Sequence, residues 1–151
     1  MVDFKHVLVA VDFGESSQQA LDLAIDIAKQ SGAELSILHA YEIPVYAYDG
    51  ASFIAVAELL APIEGAAQKR LQSTLEAVRK TLPSARSILR SGVPATEILS
   101  AIDEIRPDLV VVGTHGRHGI GRAVLGSVAE KVVRFSPVPV LSVRRHSATP
   151  R

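Results

Sequence analysis

The stretch "HVLVAVDFGESSQQALDLAIDIAKQSGAELSILHAY", His6 to Tyr41, decides the fold. Its opening, "HVLVAVD" (His6–Asp12), is apolar and largely β-branched, as in a strand buried on both faces. The period then changes. Ser16 with Gln19 three residues on makes a capping-box pattern. Leu21, Ala24, Ile25 and Ala28 follow at i, i+3, i+4 and i+7, and Gly32 is placed to stop the helix. "ELSILHAY" (Glu34–Tyr41) returns to strand character. Strand, helix, strand with buried strands predicts a parallel pair joined by a crossover helix.

The alternation continues to the end of the chain. Ile43 to Pro62, with Pro44, Tyr46, Tyr48 and Gly50, predicts a loop followed by a short apolar helix. A separate helix over Gln68–Leu82 carries Leu71, Leu75, Val78 and Leu82 on one stripe. "ARSILRSG" (Ala85–Gly92) predicts a third strand, and Pro94 suits the first turn of a helix running to about Ile105. "DLVVVGT" (Asp108–Thr114), a helix over Ser127–Phe135 and "PVPVLSV" (Pro137–Val143) complete the pattern. The expected fold class is α/β: one Rossmann-like domain, residues 1–145, with a five-stranded parallel sheet and helices on both faces. The expected strand order is 3-2-1-4-5. The polar tail, residues 146–151, is expected to fray.

Bulk properties narrow the function. At 48% hydrophobic residues, a packed globule is expected rather than disorder. Sixteen basic residues balance sixteen acidic ones, which argues against a nucleic-acid or membrane-surface binder. The absence of cysteine excludes disulfides, thiol catalysis and cysteine-ligated metals. Neither a signal-like N-terminus nor a window of roughly 20 apolar residues is present, so a soluble cytoplasmic protein is expected.

The chemistry concentrates in "GTHGRHGIGRAVLGS", Gly113 to Ser127, between the fourth strand and the following helix. Helix N-termini expose free N–H groups and carry about half a positive charge. Glycines let backbone N–H groups approach phosphate oxygens. Arg117 and Arg122 add cationic charge, and His115 and His118 add donors. The loop is no P-loop, lacking the G-K-[ST] lysine, and no dinucleotide fingerprint, since Val124 stands where the third glycine belongs. Ser127 with Glu130 is also a capping-box pattern, so the serine has a bland reading as a helix cap. With order 3-2-1-4-5, Asp12 at the end of strand one and Gly113 at the end of strand four face each other where the order reverses. An acid opposite an anion loop suits a nucleotide; fixing its own turn is the bland role for Asp12.

These segments resemble a known family. "VLVAVDFGESSQQAL", "SGVPATEIL", "DLVVVGTHGRHGIGRAVLGSVAEKVV" and "SPVPVLSVR" together resemble universal stress proteins, in the single-domain UspA-like form. The family's ATP-binding branch carries G-x2-G-x9-G-[ST], which here reads Gly113, Gly116, Gly126 and Ser127 with complete spacing. Gly119 and Gly121 fall within the nine-residue gap. The resemblance implies that Asp12 contacts the adenosine moiety and that Ala10 and Val11 lie beside the base. Ala40 takes the position whose backbone reads adenine, and Val112 and Gly113 lie under base and ribose. Gly116, Arg117, Gly126, Ser127 and Val128 match the triphosphate cradle. ATP is the implied cofactor, with Mg²⁺ or Mn²⁺ as a companion cation not held by protein side chains. The resemblance further implies a homodimer through Pro137–Val143, an edge strand that a symmetric partner would cover.

Hydrolysis needs a base and a positioned water. The loop offers no carboxylate, and His115 or His118 is the available base. Two histidines three apart could also chelate a metal, but no third ligand is evident. Binding is therefore favoured over turnover: a stress-response sensor or switch. Slow ATP hydrolysis, or a nucleotide-free dimeric interaction module, remain the alternatives.

Overall fold

The computed structural model of the 151-residue chain describes residues 2–43, 53–115 and 125–144. Its elements run β1 (His6–Ala10), α1 (Glu15–Ser31), β2 (Glu34–Tyr41), α2 (Phe53–Arg79), β3 (Arg86–Ser91), α3 (Pro94–Ile105), β4 (Leu109–Gly113), α4 (Ser127–Phe135) and β5 (Val140–Val143). The five strands form one sheet in the order β3-β2-β1-β4-β5. All four pairings are parallel.

Side chains alternate across a strand, and β1 shows what that does here. Val7, Val9 and Val11 pack on one face with Ala20, Leu21 and Ala24 of α1 and Leu71, Leu75 and Val78 of α2. Leu8 points to the other face, among Ile98 and Ile102 of α3 and Ala129 and Val132 of α4. Val7, Leu8 and Val9 are wholly buried, each contributing about 1.5–3 kcal/mol of transfer free energy. Burial on both faces is why the strand reads as an unbroken apolar run.

Several expectations change in detail. β1 ends at Ala10 rather than Asp12: its pairing with β4 stops at Val9–Val111 and its pairing with β2 at Ala10–Leu38. The serine capping boxes do not form. α1 begins at Glu15 with Gly14 as N-cap, and α4 begins at Ser127 with Gly126 as N-cap; neither start has a side-chain cap bond. Gly14, two residues ahead of Ser16, and Gly126, one ahead of Ser127, take the cap positions themselves. The two expected helices around Pro62 are one continuous helix, α2, with Pro62 inside it. A proline removes one ladder bond and crowds one carbonyl, but the helix is anchored beyond it by Ala67, Leu71, Leu75 and Val78 on the core. The Tyr46–Gly50 part of the expected loop and the tail 146–151 lie outside the described residues.

Two details recur below. Gly32 ends α1 in the left-handed region, φ 67°, its N–H bonding the Ala28 carbonyl. At the start of β1, Asp108 Oδ2 accepts the backbone N–H groups of Lys5 (2.6 Å) and His6 (2.8 Å). The outer strands differ in character. β3 carries Arg86 and Arg90, ion-paired with Glu34 and Glu104 respectively. β5, "VLSV", carries no charge.

Candidate functional site at the head of the sheet

The strand order reverses between β1 and β4, since β2 follows β1 on one side and β4 flanks it on the other. Ligands of open α/β sheets sit beyond the strand carboxyl ends at such a point. A cavity of about 180 Å³ lies there. Ala10, Val11 and Asp12 line it from the end of β1, Ala40 from β2, and Val112 and Gly113 from β4. Gly126, Ser127 and Val128 line it from the start of α4. Nine of the eleven residues singled out in the sequence thus meet at one cavity; Gly116 and Arg117 lie outside the described residues.

The sequence reading missed part of the lining: Ser17, Leu38, Pro94, Ile98, Thr114 and Ala129. Pro94 and Ile98 bring α3 to the cavity. Its N-cap is Val93, again without a side-chain cap bond. So three helices start beside one cavity, and their cap positions are Gly14, Val93 and Gly126, none with a side chain able to accept a hydrogen bond. These starts bring the positive ends of three helix dipoles to one place. The signal available in sequence was a glycine or valine immediately before each helical pattern.

Asp12 is fixed at its own turn. Its Oδ1 accepts the Gly14 N–H at 2.8 Å, and its N–H donates to Ser17 Oγ at 3.1 Å. Ser17 Oγ in turn donates to the Gly14 carbonyl at 3.2 Å. The bland role for Asp12 is therefore present. Its second carboxylate oxygen has no partner among the described residues and remains an acceptor. The Ser127 hydroxyl, at the first helical position of α4, is likewise not used as a cap.

Thr114, 2% exposed, fastens both ends of the glycine loop. Its N–H donates to the Val143 carbonyl (2.9 Å), and its carbonyl accepts the Gly126 N–H (2.6 Å). Its Oγ1 pairs with His115 Nδ1 at 2.8 Å. Gly113 is required by packing. A Cβ there would stand 2.6 Å from Ser16 Oγ and 2.8 and 2.9 Å from the Ser16 carbonyl carbon and oxygen. The N-terminus of α1 thus rests directly on the end of β4. His118, the other histidine singled out in the sequence, lies outside the described residues. Among the described residues, no cluster of three His, Asp or Glu side chains could hold a metal ion. No described helix is long and apolar enough to cross a membrane.

The fold and the cavity define a single-domain, doubly wound α/β protein with a cavity at the switch point of the sheet. Residues 3–144 match the universal stress protein family, and the chain belongs to it. It is 34% identical over 141 residues to "Universal stress protein A homolog 1" of Coxiella burnetii, covering 93% of this chain and 96% of that one. It is 39% identical over 146 residues to a universal stress protein of Thermus aquaticus, covering 93% and 99%. Among solved structures, UspA from Lactobacillus plantarum superposes with a TM-score of 0.84 at 25% identity, covering 95% of this chain and 100% of that one. A universal stress protein solved in complex with cAMP superposes at 0.65 with 29% identity, covering 94% and 98%.

Proposed function

We propose that this chain binds an adenine nucleotide, ATP, at the head of β1 and β4, and acts as a sensor or switch rather than a fast enzyme. The observation that carries this reading is the convergence of three uncapped helix starts on one cavity, bordered by the end of the G-x2-G-x9-G-[ST] pattern. The positive helix ends favour an anion, and the apolar walls from Leu38, Ala40, Ile98 and Val112 suit a base. The cavity is smaller than the roughly 300–1,000 Å³ of drug-sized ligand sites, so it suits the nucleoside end. Ala10, Val11, Ala40, Val112 and Gly113 would border base and ribose, and the free oxygen of Asp12 would accept a ribose hydroxyl. Gly116, Arg117, Gly126, Ser127 and Val128 would hold the phosphates, with Mg²⁺ or Mn²⁺ carried by phosphate oxygens. The related structure in complex with cAMP supports the nucleotide class. Among the described lining residues, Asp12 has one carboxylate oxygen already engaged and His115 has its Nδ1 paired with Thr114 Oγ1; this favours binding over hydrolysis.

The test is isothermal calorimetry with ATP, beside mass spectrometry of whatever copurifies with the folded protein. Saturable heat, or an adenine nucleotide in the purified protein, is expected. Neither heat nor copurified nucleotide would sink the reading in favour of a nucleotide-free interaction module.

A specific observation also supports a homodimer through the last strand: β5 is an outer strand without charge, whereas β3 at the opposite edge carries two arginines.

A further inference from the structure

We propose that His39, Phe13 and Arg70 form a positioning stack that sets Asp12 for the nucleoside end of the ligand; this rests on the nucleotide reading above. The starting observation is backbone strain. Phe13, next to Asp12, has φ 64°. A bulky residue in the left-handed region is a genuine outlier, and such conformations persist only where the surroundings enforce them.

The surroundings here are specific. The Phe13 ring lies against His39 of β2, with centroids 4.5 Å apart and planes inclined at 52°. The Arg70 guanidinium of α2 sits over the Phe13 ring, 5.0 Å from its centre. His39 Nδ1 is 2.8 Å from the Val11 carbonyl oxygen. A carbonyl only accepts, so Nδ1 carries the proton. The turn from Val11 to Gly14 is thus held by His39 on its first carbonyl, by Ser17 on the Asp12 N–H, and by the ring stack at Phe13.

The stack acts from behind. Phe13 packs with the core shared by α1 and α2, while the cavity walls Leu38, Ile98, Val112 and Ala129 belong to the opposite face. None of Phe13, His39 and Arg70 lines the cavity. They are positioning residues, and their effect on a ligand passes through Asp12. They also tie α2 to the site, although none of its described residues lines the cavity.

The test is a double-mutant cycle read by calorimetry with adenosine on the full chain. Phe13→Gly removes the ring and accepts the positive φ without strain. His39→Phe keeps a ring but loses the donor. Each is expected to weaken adenosine about fivefold, the worth of an ordinary hydrogen bond. His39→Asn, whose amide nitrogen replaces Nδ1, is expected to stay within about twofold of the parent. In an Asp12→Ala background, Phe13→Gly is expected to cost nothing further. Urea midpoints identify any variant that fails to fold, and Arg70→Gln, which disturbs no buried group, then serves in its place with an expected loss of about twofold. Losses that persist undiminished in the Asp12→Ala background overturn the proposal, as do parent-like affinities for both Phe13→Gly and His39→Phe. A parent chain that binds neither adenosine nor ATP overturns the nucleotide reading, and this proposal with it.

Discussion

Replacing Gly113 by alanine adds one methyl group where the structure has no room. Its Cβ would meet Ser16 at 2.6, 2.8 and 2.9 Å. The last two of these contacts are to backbone, which cannot swing aside as a side chain can. Overpacking costs roughly 1–3 kcal/mol, and rigid neighbours place this site toward 2–3 kcal/mol. For a chain of this length that lowers Tm by roughly 5–10 °C. Urea unfolding followed by circular dichroism should show a lower midpoint at unchanged slope. Ser16→Ala in the same chain relieves the 2.6 Å contact but not the two to backbone, and it also gives up the Ser16 Oγ bonds to the Val143 carbonyl and the His115 N–H, so most of the loss should remain. A Gly113→Ala protein as stable as the parent would refute the packing argument. Full rescue by Ser16→Ala would refute the claim that backbone is the obstacle. Intact stability with lost ATP binding would return Gly113 to the ligand-contact role, under base and ribose, that the sequence resemblance implies. A Gly113→Val variant cannot make that distinction, because it destabilises the fold first.

Further outcomes follow from other sites. Gly32→Ala should cost about 1 kcal/mol for its left-handed φ alone, since nothing lies within 4 Å of a Cβ there; Gly32→Asn should cost less, and chemical denaturation reads both. The two backbone N–H bonds accepted by Asp108 hold its pKa below the ordinary carboxylate value. Its stabilising contribution is therefore present above the unfolded pKa and is lost as pH falls through the folded one. Asp108→Ala should be less stable than the parent at pH 7, with the gap closing as pH falls below the ordinary aspartate range in urea midpoints taken across pH. Asp12→Ala should weaken adenosine binding roughly 10- to 100-fold, the range of a hydrogen bond to a charged group, as read by calorimetry. Ser142→Lys places a charge on the exposed side of β5 and should reduce the dimer fraction in sedimentation velocity; a monomeric parent would end the dimer proposal.

The sequence made the sheet legible because β1 and β4 are buried on both faces, which leaves continuous apolar runs that few other environments produce. It pointed to the cavity between β1 and β4 because a switch point follows from strand order. What it hid were features created by contact between distant segments. The packing demand on Gly113 comes from Ser16, and the stack at Phe13 needs residues from β2 and α2. The capping boxes misled because Gly14 and Gly126 take the cap positions, leaving Ser16 second and Ser127 first in their helices. Pro62 misled because local helix-breaking weighs little against the apolar stripe that anchors α2 further on.

The unlike edges of the sheet bear on how far association can go. If β5 takes a partner strand as proposed, opposite an edge whose arginines oppose such pairing, each subunit would have a single docking end. Two subunits related by a two-fold axis would use both such ends up, and no free template would remain. Growth would then stop at a pair, whereas two receptive edges would allow the sheet to extend into a fibre.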